Sequence, residues 1–252
     1  MVHFSAMPEI LMPHILFISD LHLSPQTPEL LHQFQGFLRQ QLPAAEAVYI
    51  LGDLFDAWIG DDDPSAFAAE IKSWLHQAST HTPLYFQHGN RDFLLGSDFA
   101  AEAGMNLLPE AQVIQVAGQS VLLLHGDQLC TDDVDYQRAR TLFRSPEFFA
   151  QAMQMSIPHR IEKAKQIRQM SGEATQMKSA HIMDVNQTAV EAIMVKHGVQ
   201  QLIHGHTHHP DTHNFTLKGK PAQRHVLADW KNTGSYVLRM DLNRFAPQSV
   251  PV

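Results

Sequence analysis

The sequence predicts an α/β (α+β) fold built on short strands buried on both faces. Three observations predict it. Five apolar runs of three to six residues recur along the chain. Segments with helical spacing of apolar residues separate most of them. Each run then ends in a carboxylate, an imidazole or an amide, several beside a glycine that lets the chain turn sharply.

The first run is His14–Ser19 (HILFIS), rich in branched and aromatic residues and too short for a helix. Pro28–Gln41 follows with Leu30, Leu31, Phe34, Phe37 and Leu38 at helical spacing. Val48–Leu51 (VYIL) is the second strand, and Ser65–Thr80 the second helix. Leu84–Gln87 (LYFQ) is the third strand, trailed by a short helix over Gly96–Gly104. Ser120–Leu124 (SVLLL) is the fourth, Asn186–Gly198 a helix, and Gln201–Ile203 (QLI) the fifth strand. Val226–Trp230 and Ser235–Leu242 (SYVLRMDL) read as later strands joined by the turn-like KNTG. The alternation suggests a largely two-sided central sheet. With 252 residues, 44% of them hydrophobic, the chain can bury the core of one large domain, residues 1–252, with an insertion.

That insertion, about 134–180, differs in composition. From Tyr136 to Ala180 there are eight Lys/Arg against three Asp/Glu, in a chain of net charge −8. It is helix-like throughout and rich in Met and Phe, so it reads as a basic helical cover. The chain as a whole, with net charge −8 and pI near 6.1, argues against a nucleic-acid partner. A single cysteine, Cys130, excludes an internal disulfide framework and fits a reducing cytosol. It reads as a small buried residue. The opening MVHFSAMPEILMP has no basic start and is broken by proline, unlike a signal peptide, and Met7 or Met12 could also initiate the chain. No stretch reaches the roughly 20 apolar residues that cross a bilayer.

In open α/β sheets, ligands bind at the carboxyl ends of the strands. Here those ends carry Asp20-Leu21-His22, Gly52-Asp53, Gly89-Asn90-Arg91-Asp92, His125-Gly126-Asp127 and His204-Gly205-His206-Thr207-His208-His209. One edge would therefore gather Asp20, His22, Asp53, Asn90, His125, His206 and His208. In an extended segment the side chains at i and i+2 point the same way, so Asp20 with His22, and His206 with His208, can grip one ion together. Seven N/O ligands without a thiolate exceed one tetrahedral zinc site but suit two neighbouring cations bridged by a carboxylate. Asp53, alone on its strand end, is the natural bridge. Mn, Fe, Zn, Co and Ni all tolerate such ligands. His204 and His209 are expected to pack or point elsewhere, Asp61–Asp63 to form a solvated loop, and Asp56 to be structural.

The order D-x-H, GD, GN, HGD, GHTH resembles the calcineurin-like metallophosphoesterase superfamily. The resemblance implies an αββα sandwich of two mixed sheets with the helical insertion as a lid. It also implies two divalent ions, one held by Asp20, His22, Asp53 and His208, the other by Asp53, Asn90, His125 and His206. Such ions clamp a phosphate ester and supply a hydroxide for in-line attack. Many members carry a histidine after GN, where this chain has Arg91. Arginine cannot serve as an acid near neutral pH but binds phosphate oxygens bidentately. That points to a leaving group needing little protonation, with His206 as another proton source and the general acid left open.

GNRD, GDLFDAWIGDD, HGDQLCTDDVDYQ and IMDVN are similar to the UDP-2,3-diacylglucosamine hydrolase branch, of lipid A biosynthesis in Gram-negative bacteria. What this implies is a metal-dependent pyrophosphatase, commonly using Mn²⁺, in which water attacks the α-phosphorus to give UMP and 2,3-diacylglucosamine 1-phosphate. Asp53, Asn90, Arg91 and His206 would be the catalytic set. Substrate contacts would fall on Asn90, Arg91, Asp133, Ser171, Thr175, Lys178 and His206; asparagine is common in the branch where this chain has Thr175. Two acyl chains need an apolar groove, which Leu142, Phe143, Phe148, Phe149, Met153, Met155, Ile157, Ile161, Ile167 and Met170 could line; the other reading is that these residues pack the insertion onto the body. The expected setting is cytoplasmic, at the inner face of the inner membrane, as a monomer. Other dinuclear phosphodiesterases or nucleotide pyrophosphatases of the superfamily share the same core motifs, and a non-catalytic scaffold could keep the fold.

Overall fold

The computed structural model describes residues 13–177 and 184–252, with backbone alone for 171–177. Two sheets face each other, rather than the one central sheet that strand burial suggested. In the first, β1 (His14–Ile18), β2 (Ala47–Leu51), β3 (Leu84–Gln87) and β4 (Met105–Leu107) run parallel. Two late strands, β10 (Tyr236–Asp241) and β11 (Pro247–Pro251), extend it antiparallel, giving the order β11-β10-β1-β2-β3-β4. The second contains β5 (Gln112–Val116), β6 (Gln119–Leu123), β7 (Gln201–His204), β8 (Thr212–Leu217) and β9 (Lys220–Val226), ordered β5-β6-β7-β9-β8. Its β6, β7 and β9 are parallel and its edges antiparallel, so both sheets are mixed.

Side-chain alternation explains why each apolar run is buried twice over. On β1, Ile15 and Phe17 point between the sheets, where they meet Val121, Leu123 and Ile203. Leu16 and Ile18 point outward to the helices α1 (Pro28–Gln40) and α2 (Ala66–Ser79), through Phe34, Phe37, Ile71 and Leu75. On β6, Leu122 and Leu124 meet Val190 and Met194 of α7 (Gln187–His197). A double layer of such strands has the same sequence signature as a single covered sheet, so the run pattern alone could not separate them.

Helix ends follow local chemistry. Ser65 Oγ accepts from Ala68 N at 3.1 Å, and Asn186 Oδ1 accepts from Ala189 N at 3.2 Å, each satisfying a free first-turn amide. Gly198, at φ 66°, ends α7 in the left-handed conformation that glycine adopts most readily. The short α3 (Ser97–Glu102) is held from a distance: Asp61 accepts from Gly96 N at 2.8 Å, Phe99 N at 2.9 Å and Trp58 Nε1 at 3.1 Å. The acidic run is thus not merely solvated; Asp61 orders a helix start.

The segment Val226–Trp230 is not a strand. The ladder falls earlier, on the more polar Lys220–Val226, and Leu227 to Trp230 leave the sheet. Leu227 N bonds His204 O at 2.7 Å and Trp230 N bonds Asp20 O at 3.1 Å, so this stretch crosses from one sheet to the other. Trp230 then sets its ring edge-on against Phe34 and Phe37.

Between β6 and α7 lies the helical insertion: α4 (Val134–Phe143), α5 (Pro146–Gln154) and α6 (Ile157–Met177). Its attachment is largely ionic. Arg160, only 5% exposed, donates to Ile59 O at 2.6 Å and to Asp62 at 2.7 Å. Arg168 pairs with Asp56, which is structural as expected. Replacing Arg160 with alanine strands the Ile59 carbonyl without its donor. That variant should show faster tryptic cleavage at Lys163 and Lys165 than wild type; an unchanged digest would show that α6 is held by other contacts.

Candidate metal centre

The five strand ends do converge on one edge, but not through extended backbone. Asp20, His22, Asp53, His206 and His208 all have positive φ, between 49° and 70°. Left-handed turns, not extended strands, aim these side chains; Asp20 and His22 fall in one cluster with His208, while His206 does not join His208 there. Asp and His tolerate this region better than most residues, though it still costs of order 1 kcal/mol each. Backbone bonds between the loops stabilise the turns: Asp20 N to Gly52 O at 3.1 Å, His22 N to Asp53 O at 3.0 Å and Leu23 N to Leu54 O at 2.9 Å.

Asp92, the last residue of GNRD, was given no role by the sequence. It is fully buried, and its carboxylate accepts from Gly89 N at 2.8 Å, Leu54 N at 2.7 Å and Asp53 N at 3.3 Å. It pins the Asp53 turn to the Asn90 turn. Gly89 must be glycine here, because a Cβ would sit 2.0 Å from Asp53 Oδ1 and 2.3 Å from Asp53 N.

The carboxylates occupy the middle of the site. Asp20 Oδ2 accepts from Ser19 Oγ at 2.6 Å and His206 N at 2.9 Å. Its Oδ1 is buried without a hydrogen-bond partner and lies 3.5 Å from His208 Nε2. Asp53 presents Oδ1 to His125 Nε2 at 3.8 Å and Oδ2 to His22 Nε2 at 3.9 Å, while Arg91 N donates to Oδ1 at 2.8 Å. His125 donates Nδ1–H to Leu51 O at 2.8 Å, which turns Nε2 toward Asp53 and, at 3.1 Å, toward Asn90 Oδ1. His22 and His208 approach at 3.4 Å between Nε2 atoms. Donor atoms of Asp20, His22 and His208 lie mutually within 4.8 Å, as do those of Asp20, Asp53 and His125. The His206 ring lies 5.0 Å from that of His125, and Tyr136 stacks on it at 5.8 Å.

Charge in this site is unbalanced in a way that suits cations. Burial drives the Asp53 carboxyl up to about 7, with Asp92 and Asp20 adding to the push and His125 opposing it. Burial also pushes Asp20 up, but the close His208 imidazole and the charges of His125 and His22 outweigh it and hold the carboxyl well below its usual range. Burial lowers His22 to about 3 and His206 to about 4. His125 moves up despite burial, because Asp53, Asp127 and Asp20 surround it. The His22 and His206 imidazoles held neutral, an orphaned Asp20 oxygen and an Asp53 carboxyl pushed up toward neutral pH form a set that divalent ions would complete.

Behind His208, Asp229 Oδ2 lies 3.7 Å from Nδ1, a carboxylate–imidazole contact of the sort that orients metal-ligating histidines. No sequence signal marked it, since it sits in a stretch expected to be strand. His204 packs as expected: it is fully buried, with Nδ1 2.8 Å from Gly205 O and Nε2 3.0 Å from Arg224. His209 is exposed, and Cys130 is buried, which raises its thiol to about 12.

The insertion roofs this edge over two connected cavities of about 340 and 380 Å³, which share Asn90, Arg91, Phe93, Phe143 and Ile167. The first carries Asp127, Asp133, Arg140 and Arg144; the second is walled by Trp58, Phe148, Met155 and Ala164. Of the ten residues offered for an apolar groove, Phe143, Phe148, Met155, Ile167 and Met170 line it. Leu142, Phe149 and Ile161 are instead exposed, Met153 packs on the core, and Ile157 is half-buried away from both linings. Asp133 lines the first cavity while its carboxylate caps α4 through Tyr136 N at 3.1 Å. Lys178 lies outside the described residues, and so do the side chains of Ser171 and Thr175.

Residues 13–210 match the calcineurin-like phosphoesterase family, and the chain belongs to it. Members of that family use divalent metals, in accord with the Asp/His groups above. More particularly, a UDP-2,3-diacylglucosamine hydrolase of Escherichia coli is 48% identical over 88% of this chain and 93% of its own. A protein of the same name from Chromohalobacter salexigens is 46% identical over 90% and 92%. Another, from Shewanella loihica, is 46% identical over 95% and 98%.

In metal-free protein the raised Asp53 carboxyl contributes stability at low pH that is lost as pH rises through about 7. Divalent ions must displace that proton. Affinity for Mn²⁺ should therefore climb between pH 5.5 and 7.5 with net proton release, which calorimetry in buffers of different ionisation enthalpy would measure. The climb should flatten in Asp53→Asn.

Proposed function

We propose that this protein hydrolyses the pyrophosphate of UDP-2,3-diacylglucosamine to UMP and 2,3-diacylglucosamine 1-phosphate, a step of lipid A biosynthesis. The observation that carries the reading is the shared border of the two cavities. Asn90 and Arg91, beside the Asp/His cluster, line both: the first is richer in charged side chains, while the second sets Trp58, Phe148, Met155 and Ala164 beside Asp56, Arg160, Lys163 and Arg168. A substrate with an anionic nucleotide end and an acylated end fits that division, and relatives at 46–48% identity carry this name.

Asp20, His22, Asp53 and His208 would hold one divalent ion, and Asp53, Asn90, His125 and His206 the other. Mn²⁺ is the ion we favour among those that all-N/O ligands tolerate, because the hydrolase branch that this sequence resembles commonly uses it. Two such ions, when bound, offset phosphoryl charge and make water a usable nucleophile. Arg91 would bind the phosphoryl oxygens and hold the α-phosphorus in line for attack. His206, with its backbone anchored on Asp20, would bond a phosphoryl oxygen, leaving a phosphate monoester that departs without much help from an acid. Asp133, Ser171, Thr175 and Lys178 would contact the rest of the substrate.

We read the whole chain as a single domain, with residues 134–180 as its lid. All the site residues come from one chain, so a monomer suffices. No helix among the described residues is long and apolar enough to cross a membrane. Peripheral attachment at the cytoplasmic face of the inner membrane would bring the lid to an acylated substrate.

Release of UMP from detergent-dispersed UDP-2,3-diacylglucosamine, lost on chelation and restored by Mn²⁺, is the direct test. If that substrate stays intact while bis-p-nitrophenyl phosphate turns over quickly, the lipid reading is wrong. Asp53→Ala should abolish turnover, and a near-normal kcat would refute its bridging place. Arg91→Ala should lower kcat/KM by about 10²- to 10³-fold, the range for losing one preorganised donor to a transition-state oxygen. It should leave metal content intact.

A further inference from the structure

The aspartate of the HGD motif is not among the candidate ligands, yet it is one of the best-buried charges in the molecule. Asp127 is fully buried, and its Oδ2 accepts from Tyr136 Oη at 3.1 Å, Arg140 Nε at 2.9 Å and Arg144 Nη2 at 2.9 Å. All three donors belong to α4 or to the turn just after it. The Arg144 guanidinium spends its other donors on different elements. Nη2 also reaches Gly89 O at 3.1 Å, and Nη1 reaches Glu110 Oε1 at 3.0 Å. Its side chain is 13% exposed, so these bonds are made largely out of water.

Gly89 is the residue before Asn90, in the turn whose far side is fixed by Arg91 N on Asp53. Arg144 therefore grips one flank of the Asn90–Arg91 turn, and Asp53 the other. The planar fork is what allows this, because the two hydrogens of Nη2 diverge toward a carboxylate and a carbonyl at once.

We propose that Asp127 and Arg144 are positioning residues. The carboxylate of Asp127 orients Arg144, and Arg144 holds the Gly89 carbonyl so that Asn90 and Arg91 stay in place at the floor of the cavity. The lid is thus part of the hydrolytic site as well as its roof. This rests on the dinuclear hydrolase reading.

The test uses the full chain with Arg144→Ala, Arg144→Lys and Asp127→Asn. Metal-free protein is titrated with Mn²⁺ by electron paramagnetic resonance, and kcat and KM are measured on UDP-2,3-diacylglucosamine and on bis-p-nitrophenyl phosphate. Arg144→Ala should weaken one of two Mn²⁺ ions and lower kcat by about 10- to 100-fold on both substrates, as loss of an outer contact to a metal ligand does. KM for the small diester should hardly move. Arg144→Lys keeps the charge without the fork and should show the same pattern to a smaller degree, which keeps the test alive if the alanine variant fails to fold. Loss confined to the lipid substrate, with Mn²⁺ binding unchanged, would overturn the proposal and make Arg144 a substrate contact or a mere lid fastener. Wild-type Mn²⁺ binding and kcat in Arg144→Lys would overturn it as well. If wild-type protein binds two Mn²⁺ and cleaves only the small diester, the substrate reading fails, while this inference is still judged on those two measurements.

Discussion

Two carboxylates buried side by side, Asp20 and Asp53, are the constraint around which this molecule is arranged. Neither can be hydrated, and both cannot be ionised together without added positive charge. The fold answers by bringing imidazoles from two other strand ends, a third from Asp20's own, and backbone amides from neighbouring loops to the same few ångströms. Asp92 serves the same end by tying the amides of the Asp53 turn to the Gly89 turn. The parallel strands matter because they deliver all these turns to one edge. The helices matter chiefly by keeping those strands registered.

Much of this was legible in the chain. Short continuous apolar runs marked β1, β2, β3, β6 and β7, and the helix-period segments Ser65–Thr80 and Asn186–Gly198 matched α2 and α7 to within a residue at each end. The motif residues at the strand ends were found because Asp, His and Asn are unusual directly after apolar runs. What stayed hidden has physical reasons. β5, β8 and β11 are half-exposed edge strands with little apolar alternation. β9 reads as polar because it carries Lys220, Gln223 and Arg224, of which Gln223 bonds Asn214 and Arg224 meets His204 across the sheet. Asp61, Asp92 and Asp229 act through contacts distant in sequence, and no local pattern announces that. Left-handed backbone at five candidate ligands is likewise invisible, since only glycine advertises it.

The insertion shows a different economy from the sandwich. Arginines do most of the fastening: Arg140 and Arg144 on Asp127, Arg160 on Asp62, Arg168 on Asp56. The basic excess of this region is therefore not a free electropositive surface, because much of it is spent on acids of the body. Arg91 is separate from that lattice: its backbone is held, while its side chain lines the cavity.

Few side chains of the described insertion are buried. None is buried on α4, α5 buries Ala152, and α6 buries Arg160. Phe143 and Phe148 meet edge-on at 5.0 Å between ring centroids, and with Met155 and Ile167 they line a hollow whose far wall is the body of the protein. A helical unit of this size that keeps its apolar side chains around an open space is an unfinished hydrophobic core. Whatever hydrocarbon enters would supply the missing interior, so binding and the last stage of folding become the same event there. Selection for chain length would then follow the rules of core packing, where a methylene too few leaves a void and one too many forces the walls apart.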